Sequence, residues 1–258
     1  MNKKKRKVSN EVTATINLSF FGNPLQIQTS VPTSKMRPKR MLPVFHNLTA
    51  SFMGMIVETV QSEGMEISCT KGCGACCRQM VPISEIEAHR LSNLVNEMPE
   101  PRKSIIIERF AQAKKRMAEA GLLDELQNSE QITKEEFRDF GLKYFAQRVD
   151  CPFLEDESCS IHPDRPIVCR EYMVVSPAEN CSRLNDEPIK VVKTAFEMSK
   201  AIKCFNESQS KSNGWIPLIL ALDWADAHPE NSAERSGIEI FSELLENLIN
   251  NDVPKQAT

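Results

Sequence analysis

The sequence predicts a mainly α fold of the α+β kind: a helical scaffold around a cysteine-rich centre, with a small N-terminal β-hairpin. Three observations carry this. Apolar residues recur at helix spacing through most of the chain after residue 40, capping and breaking signals mark the ends of those stretches, and cysteines crowd into two short segments. The chain of 258 residues divides on this reading into a segment 1–40, comprising a basic tail, hairpin and linker, and a helical cysteine-cluster domain, 41–258.

The first residues carry a basic run, Lys3-Lys4-Lys5-Arg6-Lys7, which reads as a solvated tail in preference to a nuclear-import signal. Val12 to Phe21 is rich in β-branched and aromatic residues. Gly22-Asn23-Pro24 breaks it, and alternation resumes from Leu25 to Val31, the pattern of a hairpin. The Pro-rich, basic segment from Pro32 to Pro43 resembles a linker.

Val44 to Glu63 has helix periodicity and ends at Gly64. Ser84 and Glu87 form a capping box that starts a helix from Glu85 to Glu97. Pro99 and Pro101 separate it from a helix over Lys103 to Ala120. A second box, Thr133 with Glu136, starts a helix to Gln147 with Phe137, Phe140, Tyr144 and Phe145 on its buried face. The segment from Cys151 to Ile161 reads as a small hairpin with an acidic turn, and Ile167 to Tyr172 as a short helix or extended piece. Further helices are expected over Thr194 to Phe205, Trp215 to Ala227 and Ala233 to Asn250.

The chemistry lies in the cysteines. Cys69, Cys73, Cys76 and Cys77 fall within nine residues, spaced C-x3-C-x2-C-C, and two of the chain's 9 Gly, Gly72 and Gly74, lie between them. Glycine lets such a loop turn tightly and aim several sulfurs at one centre. Cys151, Cys159, Cys169 and Cys181 form a second group. Two separated groups of this kind can clamp a metal from two sides. These eight are the expected ligand pool. Cys204 lies in an amphipathic stretch and reads as core packing, and His46, His89 and His228 stand apart from the cysteines. The adjacent pair Cys76-Cys77 argues against one mononuclear site for the whole first group, because consecutive side chains tend to diverge. Lys71, Arg78, Arg165 and Arg170 flank the cysteines, placed to offset thiolate charge or to hold an anionic ligand; ordinary surface ion pairs weigh equally.

Composition limits the alternatives. Net charge is −3 with 26% charged residues, which argues against a general nucleic-acid surface. No apolar run is long enough to span a bilayer and no secretory pattern follows the basic run, so the expectation is cytoplasmic, with reduced thiols free to bind metal. A [4Fe–4S] cluster takes four thiolates and a structural zinc takes four Cys or His ligands. Eight cysteines therefore suit two zincs, or one cluster with four further thiols around it.

The stretch Ile67-Ser68-Cys69-Thr70-Lys71-Gly72-Cys73-Gly74-Ala75-Cys76-Cys77-Arg78, with Val81-Pro82-Ile83-Ser84, Cys151-Pro152-Phe153-Leu154, Cys159-Ser160-Ile161, Arg165-Pro166 and Cys169-Arg170-Glu171-Tyr172, resembles the YkgJ-type cysteine-cluster family, zinc- or iron-chelating domains with a CxxCxxCC signature. The resemblance implies metal chelation and tilts the choice from zinc toward an iron–sulfur cluster. Its larger relatives include flagellin lysine methylases linked to iron–sulfur chemistry. His162 stands where the family has tyrosine, which leaves open whether it is a ligand. Two functions follow as expectations: a metal- or cluster-holding protein without catalysis of its own, or a cluster-dependent enzyme that uses S-adenosylmethionine to modify a protein side chain. The spacing Cys69-x3-Cys73-x2-Cys76 favours the second; Ala75, in a place usually aromatic in such enzymes, and the absence of repeated strand–helix units weigh against it. A zinc-stapled nucleic-acid module is the weakest reading, and a protein partner or substrate is left unnamed.

Overall fold

The computed structural model describes residues 10–20, 23–133, 135–183, 188–194, 196–206 and 214–252. The basic run Lys3 to Lys7 lies outside them, as do residues 207–213. The fold is mainly α with short antiparallel strand pairs, as the sequence predicts.

The N-terminal hairpin pairs β1 (Glu11–Phe20) with β2 (Asn23–Pro32) in register, Ile16 facing Ile27. Its inner face is buried: Ile16, Ile27 and Val31 join the core formed around α1 (Leu42–Ser62). The Pro-rich stretch between them is a packed piece, not the linker its composition suggests. Lys35–Met36 forms β3, a 3-10 turn follows over Pro38–Met41, and Met36 and Met41 are both buried. Proline at the start of a helical turn loses no hydrogen bond there, so the prolines punctuate structure instead of excluding it.

After α1 come the cysteine loop, β4 (Pro82–Ile83) and α2 (Glu85–Asn96), whose N-terminus carries the expected capping box. α3 (Arg102–Glu119), the short α4 (Leu123–Gln127) and α5 (Glu136–Ala146) follow. Thr133 and Glu136 cap α5 reciprocally, with bonds of 3.1, 2.8 and 3.2 Å. The small hairpin of β5 (Leu154–Glu155) and β6 (Ser158–Cys159) turns through Asp156 and Glu157, both at positive φ, and leads to α6 (Ile167–Glu171).

The C-terminal third departs most from the sequence reading. The helix expected over Thr194 to Phe205 begins only at α7 (Met198–Ala201) and closes with a 3-10 turn, Ile202–Phe205. The Glu171 carboxylate accepts the Ser199 N–H at 3.3 Å, satisfying a donor at that helix start. Trp215 opens no helix. Ile216–Pro217 forms β7, paired with β4, and α8 is confined to Ala221–Ala227. Arg235–Ser236 forms β8, paired with β3, and α9 runs over Gly237–Asp252. A Cβ on Gly237 would stand 2.1 Å from the Pro32 carbonyl oxygen, so this close strand–helix approach admits only glycine.

Three large apolar clusters result. One joins the hairpin, α1, α7 and α9, with Phe45 stacked on Phe205 at a centroid distance of 5.7 Å. A second joins the end of α3, α4 and α5 to Trp215 and Ile219. A third joins α2, α3 and α8 to Phe153 and Ile161. Among the described residues no helix is long and apolar enough to cross a membrane.

Candidate metal centre

The two cysteine groups meet. Cys69, Cys73, Cys76 and Cys77 line one cavity of about 690 Å³ together with Cys151, Cys159, Cys169 and Cys181. Cys181 is buried, Cys69 exposed and the other six half-buried, and all eight are free thiols. Backbone hydrogen bonds fasten the halves: the Cys151 N–H donates to the Cys77 carbonyl at 2.7 Å, and the Ser68 N–H to the Val174 carbonyl at 2.9 Å. Cys204 lies outside this cavity and packs against the first core cluster.

Local structure explains how one loop delivers four sulfurs. Gly72 sits at φ +90°, in the left-handed region, and turns the chain after Cys69. Gly74 lies against the β5–β6 turn, where a Cβ would meet Glu157 Oε2 at 2.5 Å and Leu154 Cδ1 at 2.8 Å. A 3-10 turn over Ala75–Arg78 then carries Cys76 and Cys77. Both thiols face the cavity and hydrogen-bond to each other, so the divergence expected of neighbouring side chains does not occur here. Gly74→Ala should therefore pry the loop from the turn. Thermal unfolding is expected to show a loss of about 1–2 kcal/mol, with weaker metal retention in dialysis against a chelator.

Burial raises the thiols of Cys69, Cys151, Cys159, Cys169 and Cys181, and the charge of Cys76 raises each of them further, in both groups. The bond from Cys77 holds Cys76 below the usual thiol range, while the same bond pushes Cys77 up. Burial pushes Cys151 up to about 12 and Cys181 up to about 11, and raises Cys69, Cys159 and Cys169. A metal that takes up the sulfurs as thiolates displaces their protons.

The four flanking cations separate into two pairs. Lys71 and Arg165 line the cavity. Arg78 does not: its guanidinium bonds Asp150 at 2.8 Å, Glu157 at 2.6 and 2.8 Å and the Gly74 carbonyl at 3.2 Å, strapping the loop to the hairpin. Arg170 also turns away, donating to the Arg165 carbonyl at 3.0 Å and lying 3.3 Å from His46 Nδ1. His162, in the tyrosine's place, lines the cavity, and the charge of Arg165 lowers its basicity.

One supporting residue was only half visible in the sequence. Glu87 caps α2, bonding the Ser84 N–H and hydroxyl at 2.9 Å each, and its other oxygen accepts the Ile167 N–H at 2.7 Å. It thereby fixes the first turn of α6, the helix that carries Cys169. The cap was legible from spacing; the second bond spans 80 residues and leaves no local signal.

The donor set suits an inorganic occupant: soft thiolates bind zinc and iron–sulfur clusters. Among the described residues no three His, Cys, Asp or Glu side chains stand in a ready-made grouping around a single ion.

This helical fold with a thiol-ringed cavity defines a cysteine-cluster protein. Residues 68–193 match the model of the CxxCxxCC family, described as "Putative zinc- or iron-chelating domain". No curated protein and no solved structure matches the chain.

Proposed function

We propose that the chain is a cytoplasmic protein that holds a [4Fe–4S] cluster in this cavity, with zinc as the competing occupant, through thiolates from both cysteine groups. The observation that carries the reading is the convergence of all eight cysteines of the two groups on one cavity. A cluster draws four thiolates and leaves four to surround it, which suits a ring of eight spread over a wide cavity better than one small ion does. The candidate ligands are Cys69, Cys73, Cys76, Cys77, Cys151, Cys159, Cys169 and Cys181. Lys71 lines the same cavity, where its charge would offset that of the thiolates. When bound, a cluster supplies a one-electron redox couple, and zinc supplies a Lewis acid or a clamp.

Anaerobic purification followed by visible spectroscopy and assay of iron, sulfide and zinc tests this. The expected result is brown protein with iron and acid-labile sulfide in equal amounts. Colourless protein with stoichiometric zinc rejects the cluster, and protein holding neither rejects the reading.

A further inference from the structure

The cavity is larger than its inorganic occupant needs. At about 690 Å³ it lies in the range of sites that take small organic molecules, roughly 300–1,000 Å³. Beyond the sulfurs, Met80, Phe153, Val174 and Leu218 give its walls an apolar surface, and Lys71 and Arg165 a cationic one; Glu157, also on the wall, has both carboxylate oxygens bonded to Arg78.

Arg165 is the unusual member. Among the described residues its guanidinium makes no ion pair and donates no hydrogen bond, and its Nε is buried without a partner. The arginines Arg78, Arg90 and Arg170 are by contrast engaged, Arg78 with Asp150 and Glu157, Arg90 with Asp164, and Arg170 with backbone carbonyls. A partly shielded guanidinium left with unmet donors is costly unless something supplies acceptors. Thiolates offer only diffuse sulfur acceptors. A carboxylate offers two oxygens that match the guanidinium fork.

We infer that this cavity also binds a small organic carboxylate, gripped by Arg165, with Lys71 a second cation lining the same cavity and the carbon skeleton lying on the Phe153–Leu218 wall next to the metal centre. The inference rests on the metal-holding reading for the neighbouring occupant, but its own binding contacts come from Arg165, Lys71 and the apolar wall. A bare phosphate would leave that wall unfilled, and a neutral alkyl molecule would leave the guanidinium unmet.

The test uses the full chain, both as loaded anaerobically and after metal removal, with hexanoate, 1-hexanol and inorganic phosphate as probes and ligand-observed NMR titration as readout. Metal content and thermal unfolding are measured on every sample. Hexanoate is expected to saturate one site, with hexanol and phosphate weaker by about tenfold or more. Arg165→Met should weaken hexanoate by about tenfold with metal content retained, while Arg165→Lys keeps part of the affinity. The inference is overturned if hexanol binds as well as hexanoate, if phosphate binds better, or if R165M leaves hexanoate affinity unchanged. It is equally overturned if R165M loses metal and hexanoate together, which makes Arg165 a counter-charge to the sulfurs alone. A wild-type chain that takes up no metal but still binds hexanoate through Arg165 contradicts the metal reading and leaves the carboxylate site standing.

Discussion

Cys76→Ser is expected to empty the cavity. The charge of Cys76 is felt in both groups, at Cys69 in its own loop and at Cys151, Cys159, Cys169 and Cys181 across the cavity. Serine keeps the size of the side chain but removes the soft anion that iron or zinc takes up. Metal per chain, measured by elemental analysis after anaerobic purification, should fall by about tenfold or more, since even partners one shell out from a metal act on that scale. The folded state itself should change little, because the three large apolar clusters lie on other side chains. Cys204→Ser supplies the control. That thiol packs among apolar neighbours outside the cavity, so its loss should cost about 1 kcal/mol of stability and leave metal content unchanged. Equal metal loss in both variants would mean that cavity position does not decide binding.

Glu87→Ala should give the largest loss of stability among the substitutions considered. The carboxylate is buried at 4% exposure, and it serves three donors: the Ser84 N–H, the Ser84 hydroxyl and the Ile167 N–H. Alanine leaves these donors without acceptors in the interior, removes the helix cap and opens a small void. Each unmet buried donor costs about 1–3 kcal/mol, so even at the low end of that range the three donors and the lost cap together cost about 4 kcal/mol. Denaturant unfolding at pH 7 should show this directly. Glu87→Gln restores acceptor capacity on one side only, and should lose about half as much. Since Ile167 opens α6, which bears Cys169, the alanine variant should also release metal to a chelator faster than wild type. A fully stable E87A chain would show that the α2–α6 junction does not depend on this carboxylate.

The sequence disclosed the features whose signals are local. The boxes Ser84/Glu87 and Thr133/Glu136 placed the starts of α2 and α5, because a reciprocal cap needs only three residues of spacing. The same signal at Ser236 and Glu239, with bonds of 2.8 and 3.2 Å, marks the start of α9 and went unread in favour of apolar periodicity further upstream. The alternation from Val12 to Val31 gave the hairpin, and the acidic turn gave β5 and β6. What escaped depends on distant partners. Lys35–Met36 is a strand because Arg235–Ser236 lies beside it, and Ile216–Pro217 is one because Pro82–Ile83 does. At the site, spacing singled out the cysteines, and the fold brings them to one cavity. Spacing did not separate Lys71 and Arg165, which line that cavity, from Arg78 and Arg170, which are spent on Glu157, Asp150 and backbone carbonyls. That division depends on which way each side chain leaves its turn.

One inorganic centre shared by the loop 69–77 and the segment 151–181 is open to anomalous-scattering crystallography of the anaerobically purified chain, at the iron and zinc absorption edges. One anomalous centre is expected in the cavity, with sulfur ligands drawn from both stretches. Two separate centres, each ligated within a single stretch, or metal bound away from the thiols, would contradict it.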